Sequence, residues 1–218
     1  MAAPEAHRYR LTFSKTEAMR FTGHLDLHRA WERTFRRADL PLAYSQGFSP
    51  HPRIQLAAAL PLGMLGEAEL LDVWLEQAID PGELLERARR AAPPGIAVVD
   101  VQLADPKEAS LQQQVEAALF EATPGETISP TELDARVARL VSQPSIERQR
   151  RGKTYNLRPL ILEIEAGGDP TSAPSLRMTL TARESATGRP EEVMAALDLD
   201  PAIARITRRK LLLETSAA

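Results

Sequence analysis

The sequence predicts an α+β fold built from two tandem ferredoxin-like units that pack together, each with the split β-α-β-β-α-β order. Stretches in which apolar and polar residues alternate, as in half-buried strands, are separated by stretches of helical period. A similar order of these stretches occurs twice, over residues 8–104 and again over residues 111–214. Each half therefore has the ~100 residues of an ordinary domain.

Composition limits the classes of protein that fit. At 218 residues and 43% hydrophobic content, the chain can form one large domain or two small ones. A net charge of −3 and a pI near 5.9 exclude a protein that coats nucleic acid over its whole surface, so an anion site has to be a local patch. The absence of cysteine excludes disulfides, iron–sulfur ligation and cysteine-based zinc sites. Because no apolar run reaches the ~20 residues of a membrane span and no signal peptide is evident, we expect a cytoplasmic protein without a membrane partner.

The first unit is expected to contain four strands and two helices. Alternation predicts the strands at 8–13, 53–57, 69–75 and 96–101. Residues 15–21 are expected to form a turn that could include a short strand at 19–21. The first helix is expected from His24 to Ala38, and it should stop at Leu40-Pro41 because a residue before proline avoids the α region. Asp80 opens the second helix through a capping box with Pro81 at the first helical position.

The second unit is expected to repeat this order with one extra strand. Alternation predicts strands at 114–121, 160–165, 176–181 and 204–212, and a basic extended segment at 146–151 supplies the extra one. Ser129 opens a second capping box, and Pro190 opens a short last helix. The connection 167–174 is rich in glycine and proline, which predicts a flexible hairpin loop.

The stretch from Arg20 to Arg53 holds the densest group of histidine, arginine and aromatic residues in the chain. The helix within it has two opposite stripes. The apolar stripe faces the expected core and consists of Leu27, Trp31, Phe35 and Ala38. The opposite stripe is cationic and consists of Arg29, Arg33 and Arg36. A basic helix face is often only exposed to solvent. These arginines alone therefore fit an anion-binding site and a solvated surface equally well.

A stiff loop follows this helix at 45–52 and contains one glycine and two prolines. Tyr44, Phe48 and His51 supply ring surfaces there. Rings beside guanidinium groups suit base stacking and phosphate contact in single-stranded RNA. Helix and loop together therefore predict a binding site, although an aromatic residue in such a loop can also close over the core.

A second group of cations lies in the second unit. It consists of Arg148, Arg150, Arg151, Lys153 and Arg158, with Tyr155 among them. Because the 151–158 segment mixes glycine, tyrosine and asparagine with its charges, a binding role is favoured there. The last strand also carries cations, at 205 and 208–210, and protection of a sheet edge against aggregation explains these equally well.

Several segments resemble the signatures of the radical-SAM-linked domain of unknown function. They are F-S-K-T at 13–16, R-F-T-G-H-L-D-L at 20–27, L-P-L-A-Y-S-Q-G-F-S-P-H-P-R-I at 40–54, L-P-L-G at 60–63 and G-K-T-Y-N-L-R-P-L-I at 152–161. The resemblance extends from Tyr9 to about Leu213. Domains of that family are fused to, or encoded beside, a radical SAM protein with a cobalamin-binding-like region. The resemblance therefore implies such a protein as a partner, in the same chain in relatives or as a separate chain.

The resemblance also marks individual positions. It places at signature positions Lys15, Arg20, His24, Asp26, Arg29, Tyr44, Gly47, Phe48, Pro50, Arg151, Lys153 and Arg158. The chain departs from the pattern at Gly23, where serine is more usual, and at Asn156, where aspartate is common. The second departure leaves no carboxylate for an acid role at that position.

Radical SAM chemistry needs a cluster held by cysteines, and this chain has none. We therefore expect a non-catalytic domain without a cofactor that binds RNA or presents a substrate to a radical SAM enzyme in RNA modification. The RNA partner would be a tRNA or a ribosomal RNA. The predicted RNA- or anion-binding residues are Lys15, Arg20, His24, Arg29, Arg33, Tyr44, Phe48, His51, Arg151, Lys153 and Arg158.

One alternative is an enzyme. Tandem ferredoxin-like units with a helix histidine also resemble the metal-independent CRISPR repeat-RNA endonucleases. In that case His24 or His28 would be the general base, and Lys15, Arg20 or Tyr44 would stabilise the phosphate. No glycine-rich segment that could grip RNA, as in those nucleases, is evident near the C-terminus.

The sequence gives weaker indications of a metal site and of a protein-docking module. His24 and His28 are one helical turn apart, which is ligand spacing, but beyond Asp26 no further ligand is apparent. A docking surface would use Trp74 and the apolar residues at 60–65. Burial in strand packing explains those residues more simply, so no metal is expected and docking without RNA stays an alternative.

Overall fold

The structure is a computed structural model that describes residues 6–150, 152–167 and 173–214. It divides into two compact units, Met1–Gln114 and Val115–Ala218. Both units contain helices as well as strands, which confirms the predicted α+β class. No helix in the described ranges is both long enough and apolar enough to cross a membrane.

The first unit follows the predicted β-α-β-β-α-β order. Its elements in chain order are β1 (His7–Lys15), α1 (His24–Arg37), β2 (Ile54–Leu56), β3 (Leu65–Leu75), α2 (Pro81–Ala91), β4 (Ile96–Ala104) and α3 (Leu111–Gln114). Strand β1 pairs with both β3 and β4, and β2 pairs with β3. All of these pairs are antiparallel. The helical stripe of α1 and the inner face of the sheet form one apolar core.

Strands β1, β3 and β4 are longer than predicted, and one predicted strand is absent. The short strand expected at 19–21 is absent, because the chain there forms a turn of 3₁₀ helix at Glu17–Met19. The amides of Met19, Arg20 and Thr22 donate to carbonyls three residues earlier, which removes them from strand pairing. Strand β3 begins at Leu65, earlier than predicted, directly after a turn that the bond from Met64 N to Pro61 O closes at 3.3 Å.

Helix α1 separates its side chains as its two stripes predict. Leu27, Trp31 and Phe35 are buried, and Arg29, Arg33 and Arg36 are exposed. The Trp31 ring centroid lies 4.8 Å from that of Phe13 in an edge-on contact and 5.1 Å from that of Phe35. Buried aromatic contacts of this kind supply much of a core's stabilisation, so the stripe fixes the rotation of α1 on the sheet.

A buried ionic network joins β1 to β3. The Asp72 carboxylate accepts from Arg8 Nε at 2.8 Å and from Arg10 Nε at 2.9 Å. The Arg8 guanidinium also donates to the carbonyl oxygens of Asp105, Glu108 and Ala109. Arg8 therefore ties the segment after β4 to the sheet.

The second unit follows the predicted order but contains more strands than expected. Its elements in chain order are β5 (Val115–Thr123), α4 (Pro130–Ser142), β6 (Glu147–Arg150), β7 (Lys153–Asn156), β8 (Ile161–Gly167), β9 (Ser175–Arg183), β10 (Ala186–Thr187), α5 (Pro190–Ala196) and β11 (Arg205–Leu213). Strand β5 pairs with β9 and β11, and both β8 and β10 pair with β9.

The extra strand predicted at 146–151 is one arm of a hairpin that β6 forms with β7. The sequence pattern does not predict β7 or β10, because both are too short to show a period. Ser129 caps α4 as expected, since its hydroxyl oxygen accepts from Glu132 N at 3.2 Å. Arg151 and residues 168–172 of the predicted connection lie outside the described residues.

Candidate functional site

The loop between α1 and β2 is a closed hairpin. Tyr44 and Pro52 form a bridge, and Arg53 N donates to Ala43 O at 2.8 Å. Ser45 and His51 bond twice, with Ser45 N donating to His51 O at 2.9 Å and His51 N donating to Ser45 Oγ at 3.1 Å. The loop is therefore held at its base, and it presents Phe48 fully exposed at its tip.

One side of this hairpin borders an open cavity of about 620 Å³ in the first unit. Helix α1 contributes His24 and His28, and the hairpin contributes His51 and Arg53. The remaining lining comes from β1, β2, β3 and the segment before and within α3, and it includes Arg8, Gln55, Trp74, Pro106, Glu108, Ser110 and Gln112. The cavity thus combines imidazole, guanidinium and indole groups with neutral polar side chains and with the Glu108 carboxylate, which lies 3.6 Å from Arg10 Nη2.

Trp74 is the half-buried aromatic side chain of this cavity. The guanidinium of Arg53 lies 4.7 Å from the Trp74 ring centroid, and that of Arg8 lies 5.4 Å from it. Backbone pairing fixes both contacts, because Arg8 is the register partner of Trp74 and Trp74 N donates to Arg53 O at 3.0 Å. Cations over an indole ring are stabilised by its quadrupole, so the three planar groups form one defined surface.

The His28 ring is oriented by two contacts. Its Nε2 lies 3.3 Å from Ile54 O, and its Nδ1 lies 3.3 Å from Glu32 Oε1. His24 lies one turn earlier on the same helix face and lines the same cavity. Among the described residues, no group of three or more histidine, aspartate or glutamate side chains has the arrangement that holds a metal ion.

Lys15 and Arg20 lie outside this cavity. Lys15 is only 1% exposed, and its Nζ donates to Arg20 O and Met64 O, each at 3.1 Å. Arg20 Nε donates to Gly63 O at 2.9 Å, and its guanidinium lies 5.3 Å from the Phe21 ring centroid. Both side chains therefore bond to the turn that precedes β3.

The other predicted residues of the first unit are exposed but do not line the cavity. Arg29 forms an exposed ion pair of 3.3 Å with Asp26, and Arg33 is exposed on the same helix. Tyr44 and Phe48 are exposed on the hairpin. Of the predicted set, the structure thus brings His24 and His51 together in the cavity.

Sequence reasoning missed Arg8, Arg53 and Trp74 as lining residues. Strand pairing brings them together across long separations in the chain, so local patterns do not group them. The one local signal is for Arg53, which directly follows the loop proline Pro52 at the start of a strand.

The second unit has its own open cavity, of about 590 Å³. It is lined by Arg150, Lys153, Tyr155, Asn156, Leu160, Ser185, Ala186, Thr187 and Arg189. Of the predicted residues, Lys153 lines it. Arg158 does not, because its Nη1 donates to Ile161 O at 3.2 Å, and Arg151 lies outside the described residues.

Asn156 has a structural part in this hairpin. Its Oδ1 accepts from Ile146 N at 2.9 Å and from Arg158 N at 3.0 Å. An aspartate would accept the same two bonds. The position therefore needs a side-chain oxygen that accepts these two bonds, and either asparagine or aspartate supplies one.

Comparison with known proteins gives one family. A family model described as "Uncharacterized protein conserved in bacteria (DUF2344)" matches residues 8–190. No curated protein matches the chain. Among solved structures, a proposed glycine cleavage system transcriptional repressor aligns with 96% of this chain and 99% of its own at 8% identity. Its TM-score of 0.27 is too low for that likeness to bear on fold or function.

Proposed function

The chain belongs to the DUF2344 family of bacterial proteins, and we propose that it is a non-catalytic RNA-binding domain that presents RNA to a radical SAM enzyme. The RNA part of the proposal rests on the cavity of the first unit. The radical SAM part rests on the resemblance of the segments at 13–63 and 152–161 to the radical-SAM-linked signatures. A tRNA or a ribosomal RNA is the substrate that fits both parts.

The single observation that carries the RNA proposal is the Arg53–Trp74 pair in an open cavity. Bases of single-stranded RNA stack on guanidinium planes as well as on aromatic rings, and the Arg53 guanidinium, held over the Trp74 ring, offers such a plane. Among the described residues, no carboxylate forms an ion pair with Arg53, so its donors are available to a phosphate. Arg8, in contrast, already bonds Asp72 and the carbonyls after β4, so it supports the surface.

The remaining lining suits the same ligand. The imidazole rings of His24, His28 and His51 line the same cavity and can stack with bases. Gln55 and Gln112 add amide groups, whose donors and acceptors match the edges of unpaired bases. A cavity of about 620 Å³ accommodates a nucleotide of an extended strand.

Binding of a labelled single-stranded RNA at low salt tests this proposal. We expect Arg53→Ala to weaken binding about tenfold, because charge-assisted bonds are the strong ones. The slope of log affinity against log salt should also fall, by about 0.7 for one phosphate contact. Trp74→Leu should weaken binding at all salt concentrations, since stacking does not release counterions.

Arg90→Ala is the matched control, because Arg90 is an exposed cation of the same unit outside the cavity. It should leave the affinity unchanged. Arg33→Ala tests whether RNA binds to the exposed face of α1 instead of the cavity. If Arg33→Ala weakens binding more than Arg53→Ala does, the helix face is the binding surface. Absence of RNA binding at low salt would refute the proposal.

The endonuclease alternative needs His24, Lys15 and Tyr44 in one place. The cavity contains His24, but Lys15 is buried elsewhere and Tyr44 is outside the lining. We therefore expect RNA to stay intact with the native chain. RNA cleavage that is lost in His24→Ala would establish the alternative, and capture of the radical SAM protein without any RNA affinity would establish a docking module.

A further inference from the structure

The cavity beside the β6–β7 hairpin has the features of a nucleotide site. We propose that it binds a single nucleotide, with the phosphate held by Arg150, Lys153 and Arg189 and the planar base placed against Tyr155. All of these residues belong to the second unit. The inference is therefore independent of RNA binding at the Arg53–Trp74 pair.

Two like charges lie opposite one another at this cavity. Arg150 and Lys153 are direct register partners in the antiparallel hairpin. Partners of this kind share one face of the ribbon, and like charges directly opposite one another destabilise it. In the ranges that the structure describes, no carboxylate forms an ion pair with either residue. A phosphate bound between them would remove the repulsion and supply acceptors to both.

Arg189, directly before α5, is a third cation that lines the cavity. Its Nη1 donates to Glu191 Oε1 at 3.2 Å. Its Nε is buried and has no acceptor among the described residues. Since a buried donor without an acceptor is costly, the guanidinium has unused capacity for an incoming oxygen atom.

Two acidic side chains near the cavity lie beside arginines. Glu191 Oε1 accepts from Arg189, while its Oε2 is buried without a donor among the described residues, and Glu192 Oε2 lies 4.0 Å from Arg148 Nε. Arg148 is the register partner of Tyr155, so this ion pair lies beside the ring. The charge left over at the cavity is therefore that of Arg150 and Lys153, which favours an anion.

Tyr155 supplies the planar surface. The side chain is half-buried and lines the cavity together with the apolar Leu160 and Ala186. Burial, and then the charge of Glu192, raises the pKa of its hydroxyl above the ordinary value. The phenol is thus neutral at physiological pH, and a neutral aromatic ring stacks on bases of every kind. A volume of about 590 Å³ lies within the usual range for small-ligand sites.

Titration of the full chain with nucleoside monophosphates tests the inference, with the matching nucleosides and inorganic phosphate as comparison probes. We expect the monophosphates to bind more tightly than either comparison probe, because each probe lacks one half of the ligand. Arg150→Ala and Lys153→Ala should each weaken binding about tenfold, as the loss of a charge-assisted bond predicts. Tyr155→Leu should remove the preference for monophosphates over phosphate.

Arg139→Ala is the matched control, because Arg139 is an exposed cation of the same unit and does not line the cavity. It should leave affinity unchanged. Equal losses in Arg139→Ala and Arg150→Ala would show nonspecific attraction and overturn the inference. Inorganic phosphate that binds as tightly as the monophosphates would also overturn it.

The nucleotide has two sources, free nucleotides and the nucleotides of an RNA chain. Binding of monophosphates that Arg150→Ala weakens about tenfold identifies a free-nucleotide site. If only short RNA binds, and Arg150→Ala weakens it while Arg53→Ala does not, the nucleotide belongs to a chain. If Arg150→Ala and Lys153→Ala change neither the affinity for monophosphates nor the affinity for RNA, the cavity does not bind a nucleotide. A loss of binding in Arg53→Ala alone would support the first-unit site and refute this one.

Discussion

The basic residues of β1 and those of the β6–β7 hairpin are in opposite situations. In the first unit, Arg8 and Lys15 are buried, and their donors bond to Asp72 and to backbone carbonyls. In the second unit, Arg150 and Lys153 border a cavity, and no carboxylate of the described residues pairs with them. The same residue types thus stabilise the fold in β1 and remain available to a ligand in the β6–β7 hairpin.

The comparison shows that charge and signature position do not identify a binding residue. Lys15 and Lys153 both stand at positions that the radical-SAM-linked resemblance marks, yet Lys15 is 1% exposed whereas Lys153 lines the cavity of the second unit. What separates them is whether the protein itself supplies their acceptors. A buried cation needs such acceptors to offset its desolvation, whereas a cation at a cavity can receive them from a ligand.

The largest effect is expected when the carboxylate of the β1–β3 network is removed. Asp72 is fully buried and accepts from both Arg8 and Arg10. Asp72→Ala leaves the buried Arg8 without its ionic partner, so the free energy of unfolding should fall by about 3–5 kcal/mol. Denaturant unfolding followed by circular dichroism measures it.

Asp100→Ala is the control for this change, because Asp100 is an exposed aspartate in the neighbouring strand β4. It should alter the unfolding free energy by no more than about 0.5 kcal/mol. Equal stabilities of the two variants would mean that the buried network contributes nothing, and the contrast between the units would lose its basis.

An intermediate effect is expected from a matched pair of lysine substitutions. Lys15→Met removes the donor to Arg20 O and Met64 O and should lower the unfolding free energy by about 1–3 kcal/mol. Lys153→Met at an exposed position should change it by less than about 0.5 kcal/mol. Nucleotide affinity should show the reverse order, weakened in Lys153→Met and retained in Lys15→Met under conditions where both are folded. A stability loss in Lys153→Met as large as that in Lys15→Met would erase the distinction.

Local sequence patterns predicted the parts of the fold that local physics determines. The capping residues Asp80 and Ser129 accept the amide bonds expected of them, and α1 buries its apolar stripe. The pattern failed at 19–21, where successive 3₁₀ bonds replace a strand, and at β7, which pairs with the predicted extended segment but is too short for a period. The burial of Lys15 does have a local signal, because the inward alternation of Tyr9, Leu11 and Phe13 continues to that residue.

The candidate site was less predictable for a physical reason. Sequence reasoning grouped residues by their closeness in the chain, and this placed Arg29 and Arg33 in one site with the loop. The cavity instead forms where pairing of β1 and β3 brings Arg8 beside Trp74, and where the hairpin returns Arg53 to the same ring. Strand register decides both contacts, and register depends on long-range packing that a single sequence does not display.

The smallest effect concerns the titration of Tyr155. Because burial and Glu192 raise the pKa of its hydroxyl, the folded chain holds this proton more tightly than the unfolded chain. The contribution of Tyr155 to the stability of the folded chain is thus fully present below the pKa that the hydroxyl has in the unfolded chain. This contribution is lost as the pH rises through the pKa of the hydroxyl in the folded chain. The difference in tyrosinate absorbance between the native chain and Tyr155→Phe isolates this titration, and the pKa that it gives should lie above the ordinary value for tyrosine.

Glu192→Gln should lower the pKa of Tyr155, and a bound nucleoside monophosphate should raise it because its phosphate adds negative charge beside the phenol. A Tyr155 titration that the monophosphate leaves unchanged would place the phosphate away from the hairpin, and Arg150 and Lys153 would then be solvated cations.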